Sequence, residues 1–470
     1  MLVALIDVKQ KSQPILRVFP LVGRARFLLS RLGPKLRQYV VANDNEERPY
    51  SRIDRDWVDA SAQGDNTQIA FGSRTDPHNG GPTILHSTFA STGQGLTDDS
   101  ESLETIRDRP LKALGTARQR RHIYQPASWV NISGMSFGSL SGPAVQGLNL
   151  GAKEFGCFQN TGEGGLSVHH QQGADLVFQI GTGYFGCRDV DGDFSLEALK
   201  ETIANHPVRA LEIKLSQGAK PGIGGFLPGA KVSHEISKAR GVPAGVDCAS
   251  PARHKAFHDV DTMLDWVEYL AAETGLPVGI KSAVGEQSFW SDLASAMEGN
   301  SRGVDFICID GAEGGTGAAP PSFANSVGLS FARGFPLVYS EFQKRGLQDQ
   351  VAFIGSGKLG LPQNAIQAFA SGVDMVNIGR TALIAMGCIQ ALKCHTGDCP
   401  TGIAAQKGWL IRGIDPEAAG QRVELYLGSL RREIHLLTEA CGVEHAGFLE
   451  PRHILDLATD HVAGGIPRFH

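Results

Sequence analysis

The 470-residue chain contains no apolar run of 18 residues or more, which excludes a bilayer-spanning helix as written. It has no basic excess: 44 Lys and Arg stand against 49 Asp and Glu, giving a formal net charge of −5, so the balance excludes a nucleic-acid partner. The opening stretch Met1-Leu2-Val3-Ala4-Leu5-Ile6-Asp7 is too short for a signal sequence and has no cleavage pattern, so a cytoplasmic setting is expected. Cysteine is sparse, at eight residues. Five of them, Cys157, Cys187, Cys248, Cys308 and Cys441, are scattered singly, as reduced packing thiols would be, which argues against a disulfide framework. No internal repeat stands out. Glycine, by contrast, is abundant at 58 residues and clusters in short runs between apolar runs, the pattern of tight turns and of backbone approaching a ligand.

Three regions differ in texture. Residues 15–41 carry Arg17, Arg24, Arg26, Arg31, Lys35 and Arg37 and no acid, with Leu, Phe and Val interleaved. Two readings fit: an arm docking on a membrane surface or a partner, or a helical layer packed on the main domain with its basic face solvated. Residues 46–125 are polar, rich in Gly, Ser and Thr, and punctuated by Pro49, Pro77, Pro82 and Pro110, which reads as irregular wrapping. We therefore expect an N-terminal basic arm and wrapping segment over 1–127, a main domain over 128–440 and a tail over 441–470.

Within the main domain short β-branched runs recur at 129–133, 158–161, 210–215, 244–248, 277–281, 305–310, 351–355 and 374–379. Helix-compatible segments such as 262–274 and 362–371 separate many of them, and 416–439 also has helical spacing. Strands alternating with helices imply a parallel sheet, and eight runs imply an α/β fold closed as a (β/α)8 TIM barrel. Chemistry then belongs at the C-terminal strand ends. There the sequence has Gly134-Met135-Ser136, Thr161-Gly162-Glu163-Gly164-Gly165, Lys214-Leu215-Ser216-Gln217, Lys281, Asp310-Gly311 and Gly355-Ser356-Gly357-Lys358.

The expression G-x-G-x-x-G occurs twice. At Gly181–Gly186 a turn-like stretch follows instead of a helix, so no dinucleotide site is expected. At Gly355–Gly360 it follows the seventh run and precedes a helix, and the eighth-strand loop supplies Gly379-Arg380-Thr381. Loops after the seventh and eighth barrel strands frequently bind a phosphate, which suits a mononucleotide such as FMN. Lys214 and Lys281 end apolar strands; they serve either a reduced flavin or structural pairs with acids such as Glu212 and Glu286. Glu163, flanked by glycines, is either a substrate-positioning or proton-transfer group or a solvated turn carboxylate. Cys388-x5-Cys394-x4-Cys399-Pro400 places three thiols within twelve residues. They suit an iron–sulfur cluster, a zinc site with His395 as fourth ligand, or a redox disulfide.

Over about 128–440 the runs ISGMSFGSLS, NTGEGG, IKLSQGAKPGIGGFLPGAKV, DGAEGGTGAAP and CxxxxxCxxxxCPTGIA resemble, in order, motifs of the FMN-binding synthase domain of the glutamate synthase large subunit. The run ILRVFPLVGRARFLLSRLGPKLRQY resembles the stand-alone branch of that family. The resemblance implies FMN lying among Met135, Ser136, Gln179, Lys214, Lys281, Gly315, Thr316, Gly355, Ser356, Gly357, Gly379 and Arg380. It also implies a 3Fe–4S cluster on Cys388, Cys394 and Cys399. Gln217, Lys220 and Arg240 would hold the carboxylates of 2-oxoglutarate, with Glu163 and Lys214 at the reacting centre. The implied activity is reductive amination of 2-oxoglutarate by ammonia to L-glutamate, with electrons passing through the cluster to the flavin.

Several positions depart from the family pattern. Leu2 follows Met1 where a catalytic cysteine is usual, and no amidotransferase domain fits ahead of residue 128. Ammonia is therefore expected from solution or from a glutamine amidotransferase subunit. Electrons would come from ferredoxin or an NADPH-oxidising flavoprotein subunit. Ile223 stands where an acid is usual, and Arg380 and the Ser282–Glu286 stretch also depart, which puts the exact amine in play. An N-methylglutamate synthase-type subunit and a non-catalytic flavin/iron–sulfur electron relay are the competing readings.

Overall fold

The computed structural model describes residues 2–10, 14–37, 41, 43, 45–65, 67–75, 82–90, 112–204 and 206–456. The chain divides into two compact units, Met1–Trp57 and Val58–His470. The first holds the helices Leu2–Lys9, Pro14–Val18 and Val22–Leu36. Its polar clasp is Asp7, whose carboxylate accepts from Arg24 Nη2 at 2.6 Å and from the Leu21 N–H at 3.0 Å.

The second unit is built on eight parallel strands: β1 (Val130–Ile132), β2 (Gln159–Asn160), β3 (Leu176–Ile180), β4 (Val208–Lys214), β5 (Val278–Ser282), β6 (Phe306–Asp310), β7 (Ala352–Ser356) and β8 (Met375–Ile378). They pair in chain order, and β8 pairs back onto β1 through Val376 and Val130, closing the barrel. β3, β5, β6, β7 and β8 are buried at every residue. Strands covered on both faces need apolar residues at consecutive positions, which is why they read as short continuous runs. The helices Val260–Thr274, Pro362–Ser371 and Pro416–Ala440 form where 3.6-residue spacing was legible.

One expected strand is wrong. The third barrel strand is Leu176–Ile180, and the run at 244–248 is no part of the barrel. Instead Cys248–Ala249 pairs antiparallel with Phe226–Leu227 inside the long excursion between β4 and β5. The physical cause is polarity. Gln179 interrupts the run Leu-Val-Phe-Gln-Ile and masks a strand whose one polar side chain is satisfied inside the barrel, where Gln179 Nε2 donates to Glu212 at 2.6 Å.

The observed division into units falls between Trp57 and Val58. Pro82–Ile84 pairs antiparallel with Ile454–Asp456, joining the wrapping segment to the tail within one unit. The wrapping residues 76–81 and 91–111 and the tail residues 457–470 lie outside the described residues. The outer layer is fastened where the Pro416–Ala440 helix crosses the Gly142–Phe155 helix. There a Cβ at Gly151 would fall 2.7 Å from Val423 Cβ and 2.8 Å from the Gly420 carbonyl, so the crossing requires glycine.

Candidate active site

The polar turns expected at strand ends all leave the C-terminal ends of barrel strands, so they surround one mouth. A cleft opens there, lined by Glu163, Thr182, Lys214, Gln217, Lys220 and Ile223 among others. Lys214 is the last residue of β4 and stands in register with Lys281 on β5. Its Nζ donates to Glu163 Oε1 at 2.8 Å and to Gln217 Oε1 at 3.0 Å. Gln217 Nε2 in turn donates to the Gly315 carbonyl at 2.8 Å, tying the loop after β4 to the loop after β6. Glu163 reaches in from the turn after β2. It fits because residue 181 is glycine: a Cβ there would lie 2.7 Å from Glu163 Oε2.

Charge at the cleft is unbalanced. Burial works to raise the Glu163 carboxyl, but Lys214, Lys220 and Arg240 outweigh it and hold the group below the ordinary carboxylate range. Lys220 is lowered by burial and by Lys214, with Glu163 opposing. Arg240 ends the His234–Arg240 helix and does not line the cleft. It lies behind the Glu163-Gly164 turn, where its guanidinium donates to the Phe137 carbonyl at 3.3 Å and stacks over Phe185 at 5.0 Å.

Lys281 pairs with neither Glu212 nor Glu286 but with Asp310, at 3.7 Å and with both side chains buried. Burial alone lowers its ammonium; Asp310, Cys308, Glu212 and Glu163 reverse that and raise it. The same Asp310 Oδ2 also accepts from the Gly218 N–H at 2.9 Å, in the loop after β4. Gln179 and Asn160 both donate to Glu212 Oε1, at 2.6 and 2.8 Å, and both amides lie against Gly134.

The residues expected around FMN fall into two groups. Met135 and Gly379 face each other across β1 and β8. A Cβ at Gly379 would meet nothing closer than Met135 Sδ at 3.7 Å, which leaves space for a ligand. After β7, Gly357 (φ +115°) and Lys358 (φ +56°) take successive left-handed conformations, a turn suited to presenting backbone N–H groups to an anion. Together with Lys214 and Lys281, these features fit a flavin mononucleotide. At Gly355 the missing side chain makes room for Leu359 and Phe331. Ser136 Oγ donates to Ser139, Ser356 O accepts from the Gly311 N–H, Thr316 Oγ1 donates to the Ala318 carbonyl, and Arg380 donates to the Glu313 carbonyl beside Gly315.

The cysteine loop is assembled in part. All eight cysteines are free thiols. Cys394 is raised by burial and by Cys399, while Lys231 opposes. Cys399 is raised by burial but brought below the ordinary thiol range by the Thr401 hydroxyl and the backbone of Ala404, Thr401 and Ile403. The buried Lys231 ammonium donates to the carbonyls of Cys394 at 3.3 Å and Ala404 at 3.2 Å. Among the described residues, however, no three His, Cys, Asp or Glu side chains are grouped to hold a metal. Cys394 and Cys399 thus share the Lys231 charge without forming, together with Cys388, a preformed three-ligand group among the described residues.

Two residues escaped the sequence reading. His254 Nε2 donates to the Lys214 carbonyl at 2.9 Å from beneath the cleft, within an aromatic cluster of Phe257, Trp266 and Tyr184. It lies in a Pro-Ala-Arg-His-Lys loop with no local signal. Lys231 could have been found, as the one cation in a glycine-rich run otherwise made of small and apolar residues, Gly-Phe-Leu-Pro-Gly-Ala-Lys-Val.

Residues 93–444 match the conserved region in glutamate synthase. The chain belongs to the glutamate synthase family. It is 36% identical to the glutamate synthase large subunit-like protein YerD of Bacillus subtilis, over 96% of this chain and 91% of that one. It is 35% identical to an archaeal glutamate synthase (NADPH) of Methanocaldococcus jannaschii, over 67% of this chain but only 59% of that relative's length. A glutamate synthase large subunit-like protein of Rhizobium meliloti is 31% identical over 74% of this chain and 79% of its own. Family membership makes the chain a glutamate synthase-like oxidoreductase. Among the described residues no helix is long and apolar enough to cross a membrane.

Proposed function

We propose that this glutamate synthase-family protein binds FMN across the barrel mouth and reductively aminates 2-oxoglutarate to L-glutamate. The observation that carries the reading is the positive field at the cleft: Lys214 and Lys220 line it against one carboxylate, Glu163, and Arg240 adds to the field from behind the Glu163-Gly164 turn. A dianionic dicarboxylate balances such a site, and a neutral or cationic substrate does not.

When bound, FMN supplies hydride chemistry at its N5 atom. The chain's own residues do the rest. Lys220 and Lys214 bind and orient carboxylate oxygens. Glu163 stays ionised, so it acts as a proton acceptor at the oxygen that Lys214 does not occupy and takes the proton released as the amine attacks the 2-oxo carbon. Gln217 holds Lys214 in place against the Gly315 loop.

A second reading, amination by another amine as in an N-methylglutamate synthase-type subunit, draws support from Ile223. It lines the cleft with an apolar wall where the resemblance expects an acid. Anaerobic turnover of the purified protein with a chemical reductant and 2-oxoglutarate, with ammonium or methylamine, separates the two by product. Loss of reducing equivalents to another acceptor with neither product would leave the electron relay standing.

The 3Fe–4S cluster is proposed on donor chemistry alone. Cys394 and Cys399 sense each other beside the Lys231 charge, and Cys388 would complete the set. Iron and acid-labile sulfide near zero in anaerobically isolated protein would remove it. Ferredoxin or an NADPH-oxidising flavoprotein subunit as electron donor, and an amidotransferase subunit as ammonia source, remain proposals of the same rank.

A further inference from the structure

In the Val22–Leu36 helix, Ala25, Leu28, Leu29, Leu32 and Leu36 fall on one stripe roughly 100° wide. Among the described residues of this unit the stripe is left open: Leu28 is 58% exposed, Leu29 64%, Leu32 41% and Leu36 50%. Arg24, Arg31 and Lys35 run along its edge at helical spacing, and the whole 15–41 stretch contains no acid. The neighbouring helix Leu2–Lys9 also exposes Leu2, Leu5, Ile6 and Val8. The one carboxylate between the two helices, Asp7, is consumed by Arg24 and the Leu21 N–H, so it does not offset the positive edge.

We propose that this helical unit is an interfacial membrane anchor, which lays its leucine stripe into the headgroup boundary of an anionic bilayer with Arg31 and Lys35 against the lipid phosphates. Charge complementarity selects this occupant. A leucine stripe alone would suit a second copy of the chain, but a second copy brings a second acid-free basic edge into the same contact, whereas an anionic bilayer neutralises it. A helix of this length and charge lies in the interface and does not cross it, in keeping with the absence of a spanning helix among the described residues. The anchor is independent of the chemistry proposed for the barrel.

The test is co-sedimentation of the full-length holoprotein with vesicles of phosphatidylcholine alone and of phosphatidylcholine mixed with phosphatidylglycerol. Binding is expected only to the anionic vesicles, weakening as salt rises. Arg31→Gln with Lys35→Gln should weaken it on the order of 30-fold, from about one unit of surface attraction per basic residue. Leu28→Gln with Leu32→Gln should weaken it roughly tenfold or more, through lost apolar burial. Thermal melting and the flavin spectrum should be unchanged in both variants, which separates anchoring from folding. Failure of the wild type to sediment, equal binding to both vesicle types, or undiminished binding of the charge variant overturns the proposal. So does a wild-type dimer that the leucine variant dissolves without any vesicle binding, since the stripe then belongs to a second copy.

Discussion

Replacing His254 by Phe tests whether the floor of the cleft is held by a neutral imidazole. The His254 ring is buried, and burial lowers its pKa to about 4 from the ordinary 6.5, against smaller opposing contributions from the Lys214 carbonyl and Glu163. Its Nε2 must carry the proton, because the Lys214 carbonyl can only accept. Phenylalanine keeps the stacking with Phe257, at 4.9 Å between ring centroids, but removes both the donor and the titration. At pH 7.5 the variant should lose about 1–3 kcal/mol, the cost of an unpaired buried carbonyl.

The pH dependence is the sharper prediction. Below 6.5 the unfolded chain protonates His254, whereas the folded protein does not until about 4, so wild-type stability falls as pH drops through that window. At pH 5 the loss from this residue alone is about 2 kcal/mol. The second buried histidine, His170, is lowered to about 3 by burial and loses stability with the same sign, but it is present in both proteins and cancels. Urea melts at the two pH values should therefore show the gap between wild type and His254→Phe shrinking by about 2 kcal/mol at pH 5. A gap that stays constant would mean that the imidazole charges in the folded state and that the account of the cleft floor is mistaken.

Three further outcomes follow from the same geometry. Glu163→Gln should retain flavin and bind 2-oxoglutarate yet turn over about a hundredfold more slowly or worse, read from kcat against KM in steady state. Lys214→Met removes the nearest cation from Glu163, so 2-oxoglutarate affinity should fall roughly 30-fold or more by titration. The folded-state carboxyl pKa should also rise: in the wild type the Glu163 ion pair is fully present above the unfolded carboxylate pKa and is lost as pH falls through the lower folded value, and in the variant that loss begins at higher pH. Gly151→Val forces a side chain into Val423 and the Gly420 carbonyl and should lower stability by about 1–3 kcal/mol or more in thermal melts, without altering the flavin spectrum.

The barrel was legible because parallel strands buried on both faces leave contiguous apolar runs, and seven of the eight expected runs became barrel strands. The remaining run, at 244–248, failed on a matter of polarity. Gln179 is satisfied by Glu212 inside the barrel, a compensation invisible along the chain, while the run ending at Cys248 had the right composition but belongs to a loop hairpin. Lys214, Gln217 and Lys281 were legible as polar residues immediately after apolar ones. Their partners were not: sequence offered Glu212 or Glu286 for the lysines, and the structure pairs them with Glu163 and Asp310, which lie on the turn after β2 and at the end of β6. His254 and Arg240 act from loop and helix positions whose relation to the mouth is set by tertiary folding alone.

The ties across the mouth bear on how a substrate and a cofactor would share it. Gln217 spans from Lys214 to the Gly315 carbonyl, and Asp310 spans from Lys281 to the Gly218 N–H. Each tie joins the loop after β4, which carries the cations of the cleft, to the β5–β6 side, which carries Lys281 and the Gly315 turn. A Cβ at Gly218 would lie only 1.8 Å from the Gly311 carbonyl, so the two loops are also in backbone contact. The loops therefore cannot shift independently. Movement of the β6 loop on binding a flavin would move Lys214 and Gln217 with it, and a carboxylate seated on Lys214 and Lys220 would press back on the flavin side. Gln217→Leu cuts one of these ties while leaving every cation in place. Flavin and 2-oxoglutarate affinities should both decline in that variant, and a decline confined to one of them would show that the two loops are positioned separately.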